Sequence, residues 1–414
     1  MVSPTATSTL TVESTLMPES VPLLRLADPV NPLVWCRRSD GLVGTGQALR
    51  LEFTGPDRFD RARDAWNEVV AAASVVDSVQ LPGSGLIAFG SFAFADSSPQ
   101  RSVLIVPEQI VGRRNGRLWL TRVASDGVLA PPTLPVARKL GPEYRIGLRP
   151  GSLDSDGYRS AVRLAVQRIA EGHLGKVVLA RDLIGQLPRF ADLRLPLGEL
   201  ARNYPDCWTY AVDGFLGSSP ETLIRVQGGA VSGRVLAGSA ARGPDADADA
   251  LAASSLVSSA KNREEHDFAV NSVTGALASH TTALTTSRPP FAVKLPNLWH
   301  LASDVTGRLS DGSTSLDLVR ALHPTAAVAG SPTGAALQLI SELEPFDRGR
   351  YAGPVGWLDA AGNGEWAIAL RSAQVTPDGA LTAYAGCGIV ADSDPDQELV
   401  ETALKFRPIT EAFA

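Results

Sequence analysis

The chain has 414 residues, of which 44% are hydrophobic and 20% are charged, and its formal net charge is −6 at pH 7. This length suits one large domain or two to three average ones, and the apolar fraction is sufficient for a sizeable core. Acidic and basic residues are interspersed and the apolar runs are far shorter than the roughly 20 residues of a membrane helix, so we expect neither nucleic acid nor a membrane as the main partner.

The N-terminal residues and the cysteines indicate where the protein works. Residues 1–20 are rich in Ser and Thr and lack the basic and apolar regions of a signal peptide, so we predict a disordered tail. Cys36, Cys207 and Cys387 are far apart and form no CxxC pair. A disulfide framework or a structural zinc site is therefore not expected, and a cytoplasmic location is.

The predicted elements favour one large domain over residues 21–414. Residues 21–150 contain short β-branched or aromatic runs bounded by Gly, Pro and Ser, which predicts strands, with one helix in "DRFDRARDAWNEVV". An amphipathic helix at 153–172 precedes the strand "KVVLARDLIG", and a helical stretch covers about 245–284. Hairpin-like strand pairs mixed with helices predict an α/β (α+β) fold with antiparallel sheets.

The last helix carries two acidic residues on one face. Asp394 and Pro395 are typical of a helix start, and Glu398 and Glu401 follow at a spacing that places them side by side. Taken alone, this spacing favours a solvated face, with Glu401 paired to Lys405 one turn later. The alternative is a Mg²⁺ site, because Mg²⁺ takes one or two carboxylates and keeps several waters.

Two residues offer similar alternatives. Glu265 in "KNREEHDF" is either a surface residue paired with Lys261 or a carboxylate for the same Mg²⁺ from a second helix. Lys176 begins an apolar strand in a chain where 33 of the 38 basic residues are Arg. Its amine either reaches solvent at the sheet edge or acts as a general base, a role that Arg cannot take.

Further residues could bind or protonate an acidic ligand. Glu221 in "SSPETL" is either a turn residue or a buried acid with a raised pKa. Arg371 forms either a buried ion pair or a bidentate carboxylate clamp. Gly386 and Gly388 do not match a dinucleotide fingerprint, but small residues before a helix allow a backbone to approach an anion.

Nine stretches together resemble the chorismate-utilising enzymes, and among them most closely the isochorismate synthases. They cover roughly residues 150–410, whereas residues 21–150 resemble the family less closely. In chain order the stretches are "KVVLAR", "SSPETL", "LAGSAARG", "KNREEH", "LWHLASDVTGRL", "LHPTAAVAGSP", "FDRGRYAGPVGW", "GEWAIALRSA" and "AGCGIVADSDPDQELVETALKF". The resemblance implies a single large domain of two stacked, mainly antiparallel sheets with helices outside, which binds chorismate and Mg²⁺.

The resemblance also implies roles for individual residues. Glu265, Glu398 and Glu401 match the Mg²⁺ ligands of the family. Lys176 resembles the base that activates water, and Glu221 resembles the acid that protonates the departing hydroxyl. The residues that match substrate-binding positions are Gly238, Ser239, His300, Ala327, Tyr351, Arg371, Gly386, Gly388 and Lys405.

Three positions indicate which member of the family this is. Ammonia-using relatives carry Gln where Lys176 stands, and some carry a nucleophilic Lys where Ala237 stands, so water is the expected nucleophile. Salicylate synthases tend to carry Thr at Ala327, which favours a reaction that stops at isochorismate. Salicylate synthase remains the alternative. An ammonia-dependent anthranilate-type synthase and a non-catalytic chorismate-binding subunit are less favoured. We expect a monomer without a glutaminase subunit.

Overall fold

The computed structural model describes residues 9–18, 21–294 and 298–414, apart from the side chains of Lys261 and Glu265. The strands form two large sheets, and the helices lie outside them. The helices are α1 Arg58–Ala72, α2 Ser155–Ala170, α3 Arg194–Asn203, α4 Ala246–Ser258, α5 Ala260–Leu277, α6 Ser315–Leu322, α7 Thr333–Leu343 and α8 Pro395–Ala412, with a short 3-10 helix at Leu23–Leu26.

The first sheet has 13 strands in the order β10-β11-β23-β22-β13-β12-β2-β3-β8-β9-β1-β5, with β19 paired to β11. Its members are β1 Thr11–Met17, β2 Leu33–Arg37, β3 Asp40–Thr45, β5 Ser74–Asp77, β8 Gln109–Arg114, β9 Arg117–Ala124, β10 Arg149–Pro150, β11 Lys176–Gln186, β12 Trp208–Val212, β13 Phe215–Ser219, β19 Gly330–Ser331, β22 Ser372–Val375 and β23 Ala380–Ile389.

The second sheet has 10 strands in the order β16-β18-β15-β14-β21-β20-β6-β7-β4, with β17 paired to β18. Its members are β4 Leu49–Phe53, β6 Ile87–Ser91, β7 Ser102–Val106, β14 Thr222–Gln227, β15 Ala230–Ala241, β16 Thr281–Thr286, β17 Phe291–Lys294, β18 Leu298–Leu309, β20 Pro354–Asp359 and β21 Gly364–Ile368. Among the described residues the pair β1–β5 is parallel and the other pairs are antiparallel. This confirms the expected fold class.

Both faces of the first sheet are buried at β2 and β12, and the alternation of side chains along these strands explains how. Trp35 and Tyr210 point into the core shared with the second sheet, whereas Val34 and Ala211, their chain neighbours, belong to a second core. Successive side chains of a strand point to opposite faces, so one strand serves both cores. Side chains of α3 and α8 close the second core, which holds α8 against the first sheet.

Polar contacts join the two sheets at Glu365, which is 2% exposed. Its carboxylate accepts a hydrogen bond from Trp35 of the first sheet at 3.2 Å and pairs with Arg114 of that sheet at 3.0 Å. Arg225 of the second sheet lies 3.0 Å from the same carboxylate. Moving the sheets apart would leave the buried Glu365 carboxylate without the cationic partner from the first sheet, which is costly. These contacts therefore hold the two sheets together.

Two sequence predictions were wrong in part. The prediction of a disordered tail over 1–20 fails for Thr11–Met17, which forms β1 between β9 and β5; residues 1–8 and 19–20 lie outside the described residues. The helical stretch predicted at 245–284 consists of the helices α4 and α5 and the beginning of strand β16. The two helices are separate because Ser259 ends α4 and caps α5, where its hydroxyl accepts a hydrogen bond from the Asn262 amide at 3.2 Å.

The start of α8 is as predicted from the sequence. Asp394 is the N-cap, and its carboxylate accepts hydrogen bonds from the amides of Asp396 and Gln397 at 3.1 and 2.9 Å. Pro395 occupies the first helical position, where its missing N–H has no cost. This cap fixes where the first turn of α8, with Glu398, begins relative to the preceding strand β23.

Candidate active site

A cleft of about 1060 Å³, counting the solvent at its mouth, lies where β11, β15, β18 and β23 meet α8. Each predicted site residue whose side chain is described lines it, and the Glu265 side chain lies outside the described residues. The predicted residues in the cleft are Lys176, Glu221, Gly238, Ser239, His300, Ala327, Tyr351, Arg371, Gly386, Gly388, Glu398, Glu401 and Lys405. Their roles remain predictions.

The ladder between β11 and β23 forms one wall of the cleft. Gly386 pairs with Ala180 and Gly388 pairs with Val178, two residues after Lys176, which begins β11. A Cβ atom added at Gly386 would lie 2.6 Å from the Leu179 carbonyl oxygen, so this position requires glycine. The two glycines leave this wall without side chains, which exposes backbone to a ligand.

A bulge in β15 shapes the opposite wall. The pairing of β15 with β18 shifts between Leu236 and Ser239, and Gly238 in the bulge has a φ of +82°. That backbone conformation favours glycine, because other residues incur a steric cost there. The bulge brings the Ser239 hydroxyl to α8, where it donates a hydrogen bond to Glu401 at 3.3 Å.

We expect Gly238→Ala to lower the free energy of unfolding by about 1–2 kcal/mol, because alanine is strained at this positive φ. The new methyl group would also lie 3.3 Å from the side-chain oxygen of Asn262. Gly275→Ala is the matched control: Gly275 lies within α5 and has open space around it, so alanine should raise stability by about 0.5–1 kcal/mol. Urea unfolding measures the change in the free energy of unfolding for both variants. Changes of the same sign would contradict the assignment of Gly238 as a position that requires glycine.

Glu401 and Lys405 form an ion pair at the cleft with a distance of 2.7 Å. The Lys405 ammonium also donates a hydrogen bond to the Gly386 carbonyl at 2.9 Å, which ties α8 to β23. The charge of Lys405 lowers the pKa of Glu401 to about 2, against the opposing effect of burial. Burial alone would lower the pKa of Lys405. The interactions with Cys387 and Glu401 have a larger effect, and together they raise this pKa above its usual range. Both groups are charged at neutral pH.

Glu398 is the second carboxylate on this face of α8. It accepts a hydrogen bond from the Ser393 hydroxyl at 2.8 Å. Burial raises its pKa, and the charge of Glu401 adds to this effect. A cation between the two carboxylates would offset both costs.

The donor set fits Mg²⁺. Ligand atoms of Glu398, Glu401 and Cys387 all lie within 4.8 Å of one another. Mg²⁺ prefers oxygen to sulfur and needs only one or two carboxylates, so Glu398 and Glu401 are the described residues that would hold it.

Glu221 is held in its neutral form. Its side chain is buried just before β14, and its backbone is fixed by hydrogen bonds to the Ser219 hydroxyl at 3.2 Å and from the Ile368 amide at 3.1 Å. Burial raises the pKa of Glu221 to about 8, although the charges of Arg371, Lys176 and Lys405 lower it in part. A carboxylic acid that keeps its proton at neutral pH can serve as a general acid.

Arg371 lies in a bend before β22 instead of within a strand, with a left-handed φ of +50°. It is 8% exposed, and within the described part of the chain its guanidinium makes neither an ion pair nor a hydrogen bond. A residue in a strained conformation commonly belongs to a functional site. Of the two sequence interpretations, the carboxylate clamp is therefore favoured over a structural ion pair.

His300 and Tyr351 complete the lining. The Nε2 atom of His300 is buried and has no hydrogen-bond partner among the described residues. Burial lowers the pKa of His300 to about 3, with Arg371 and Lys405 adding to the effect, so the ring is neutral. Tyr351 is buried and stacks on Tyr384 with ring centroids 5.3 Å apart. A buried ring nitrogen without a partner indicates that a ligand or water bonds to it.

Three polar residues of the cleft were missed by the sequence analysis, namely Asn262, Ser393 and Arg348. Arg348 forms a buried ion pair with Glu344 at 2.6 Å and donates to the carbonyl of Val178 in β11 at 2.7 Å. All three lie inside the stretches that resemble the chorismate-utilising enzymes, so the sequence did indicate that they lie near the site. Spacing alone did not distinguish them from surface residues.

A family model described as "Chorismate binding enzyme" matches residues 31–125 and 142–414. Two curated relatives agree with it. The isochorismate synthase DhbC of Bacillus subtilis is 40% identical over 75% of this chain and 76% of its own length. The putative isochorismate synthase MenF of Mycobacterium tuberculosis is 39% identical over 84% of this chain and 91% of its own length.

A solved structure of MenF, the menaquinone-specific isochorismate synthase of Escherichia coli, is similar to this fold with a TM-score of 0.81 and 27% identity, over 98% of this chain and 95% of that one. DhbC of Bacillus anthracis, described as a putative 2,3-dihydroxybenzoate-specific isochorismate synthase, has a TM-score of 0.77 and 29% identity, over 94% and 98%. The resemblance inferred from the motifs is confirmed, and the chain belongs to the family of chorismate-binding enzymes.

Proposed function

We propose that this chain is an isochorismate synthase, an isomerase that adds water at C2 of chorismate while the C4 hydroxyl leaves. The observation that carries the proposal is the buried Glu221 in one cleft with Lys176, where burial raises the pKa of the Glu221 carboxyl to about 8. Addition of water and departure of a hydroxyl on the same ring require a base and an acid at the same time. The relatives named as isochorismate synthases support the same reaction.

Lys176 takes a proton from the attacking water, and Glu221 gives its proton to the departing hydroxyl. Ala237 and Ala327 both line the cleft, so this site offers neither an amine nor a hydroxyl at those two positions. An amine at Ala237 would supply a competing nucleophile, as in some ammonia-using relatives. The cleft composition thus favours water as the nucleophile and isochorismate as the product.

The substrate carries two carboxylates, and the cleft has matching groups. Arg371 can bind a carboxylate with two parallel hydrogen bonds, and the glycine backbone of β23 allows a second to approach closely. The neutral His300 ring can hydrogen-bond to the substrate without adding charge. Mg²⁺, when held by Glu398 and Glu401, would neutralise and orient a substrate carboxylate.

The product assay is the direct test. The purified protein is incubated with chorismate and Mg²⁺, and the products are separated by liquid chromatography. We expect isochorismate, no pyruvate in a lactate dehydrogenase assay, and no anthranilate when ammonium is added. Samples without protein and samples with a chelator serve as controls.

Each alternative predicts a different result. Pyruvate and salicylate formed at the rate of isochorismate would identify a salicylate synthase. Anthranilate formed with ammonium would identify an ammonia-dependent synthase, and chorismate binding without turnover would identify a non-catalytic subunit. Any of these results would overturn the proposed function.

A monomer without a glutaminase subunit and a cytoplasmic location also remain proposals. The three cysteines are buried free thiols, as expected for a reducing compartment. No helix in the described part of the chain is long and apolar enough to cross a membrane. Light scattering after size-exclusion chromatography would test the monomer, and a mass of two or more chains would contradict it.

A further inference from the structure

A second, smaller cavity adjoins the cleft at Glu221. Glu221 and Ala327 line both spaces and therefore form the wall between them. The small cavity measures about 330 Å³, and the centre of a water molecule can occupy only about 10 Å³ of it. That space is about what a single water requires, and it is too small for a ligand.

Thr325 supplies an unpaired polar group to this cavity. The residue is 6% exposed, and its hydroxyl oxygen is buried without a hydrogen-bond partner among the described residues. Its carbonyl accepts hydrogen bonds from the amides of Val328 and Ala329 at 3.1 and 3.0 Å, which fixes its position. A buried hydroxyl facing a space of this size is the setting in which an ordered water is found.

The small cavity also leads away from the cleft. Thr222 and Arg234 line it and are half-buried, so this end lies near the surface. The Arg234 side chain is 34% exposed and pairs with Asp304 at 2.6 Å. A water beside Glu221 would therefore be close to a solvent-accessible end of the cavity, on a route that does not cross the substrate.

The proposed reaction leaves a proton to be returned to Glu221 in each turnover, and the inference rests on that function. In each turnover Lys176 gains a proton from the attacking water and Glu221 loses one to the departing hydroxyl, which leaves as water. Before the next turnover Lys176 must release a proton to solvent and Glu221 must regain one. Glu221 lines the cleft, so a ring bound there would restrict access to Glu221 from that side.

We propose that a water held by the Thr325 hydroxyl in this cavity bonds to the Glu221 carboxyl and returns a proton to it after each turnover. The water replaces its own proton from solvent at the Arg234 end, so protons balance over the cycle. Thr325 is then a positioning residue that acts through the water. The charged groups that face Glu221 are Arg371, Lys176 and Lys405 on the cleft side and Arg234 at the cavity.

The test compares Thr325→Val, which removes the hydroxyl at constant shape, with Thr325→Ser, which keeps it. Isochorismate formation is measured across about pH 6 to 9 in H₂O and in D₂O. We expect Thr325→Val to lower kcat about tenfold, or about 1.4 kcal/mol, with KM nearly unchanged. The solvent isotope effect on kcat should rise because proton return becomes slow, and Thr325→Ser should behave like the unaltered protein.

Two results would overturn the proposal. One is an unchanged kcat and isotope effect in Thr325→Val. The other is an equal loss in both variants together with a lower melting temperature, which would indicate packing and not a hydroxyl. If the unaltered protein forms no isochorismate, the proposed function fails instead, and the two failures are thereby distinguished.

Discussion

Glu221→Gln is expected to lower kcat for isochorismate formation by about 10²- to 10⁴-fold, the usual contribution of a general acid. The Gln side chain fills the same buried space but has no acidic proton to give to the departing hydroxyl. The substrate contacts proposed for Arg371 and the glycine backbone are not changed by this substitution, so KM should change little. Steady-state kinetics with chromatographic detection of isochorismate measures both quantities.

The pH profile of the unaltered protein gives an independent check of the same residue. Burial raises the pKa of Glu221 to about 8, so the acid is protonated at neutral pH. A general acid acts in its protonated form, and kcat/KM, which reports the pKa values of the free protein, should therefore fall as the pH rises through about 8. A kcat/KM that does not fall across this range would contradict the assignment of Glu221 as the acid.

Glu365→Gln is a matched control, because Glu365 is also a buried glutamate. Its carboxylate is paired with two arginines, so Gln there should lower the melting temperature while activity is kept in the folded protein. Glu221 is neutral when folded and ionised when unfolded at pH 7, so Gln there should leave stability unchanged or raise it. Lost activity with an intact melting temperature separates catalysis from folding.

The features predicted best from the sequence are local ones. The start of α8 was predictable because Asp394 and Pro395 act on their immediate neighbours. The pair Glu401–Lys405 was predictable because helical spacing alone sets it. The fold class followed from hairpin-like strand pairs mixed with helices and from motifs in the order of a known family.

The features that were missed depend on distant parts of the chain. Thr11–Met17 is Ser/Thr-rich and becomes a strand because β9 pairs with it more than 100 residues later, with Thr11 opposite Ala124. Likewise, the sequence could not show that Arg371 makes no ion pair with a described residue or that Thr325 faces a cavity. Such properties arise only when separate elements pack together.

The charge state of a glutamate in the cleft also could not be predicted from the sequence. Glu221, Glu398 and Glu401 have the same chemistry, yet the cleft raises the pKa of the first two and lowers that of Glu401. Burial outweighs the charges of Arg371, Lys176 and Lys405 and keeps Glu221 protonated. The Lys405 ammonium, which pairs with Glu401 at 2.7 Å, keeps Glu401 ionised. Whether a glutamate of this site is neutral or ionised is therefore a property of the packed site.

Glu398→Gln is expected to weaken Mg²⁺ binding by about 100-fold, because it removes one of the two carboxylates that the described part of the chain offers to a hard cation. The substitution leaves the ion pair between Glu401 and Lys405 in place, and the amide oxygen can still accept the hydrogen bond from Ser393. Isothermal titration calorimetry of Mg²⁺ into the protein without substrate measures the affinity, so the result does not depend on turnover.

Glu411→Gln is the matched control on the same helix. Glu411 is exposed and pairs with Arg407 four residues before it at 2.5 Å, with the same spacing as Glu401 and Lys405, but it lies outside the cleft. Its Mg²⁺ affinity should equal that of the unaltered protein, which would exclude a general effect of charge on α8. Equal affinities for Glu398→Gln and the unaltered protein would contradict a metal site that includes Glu398.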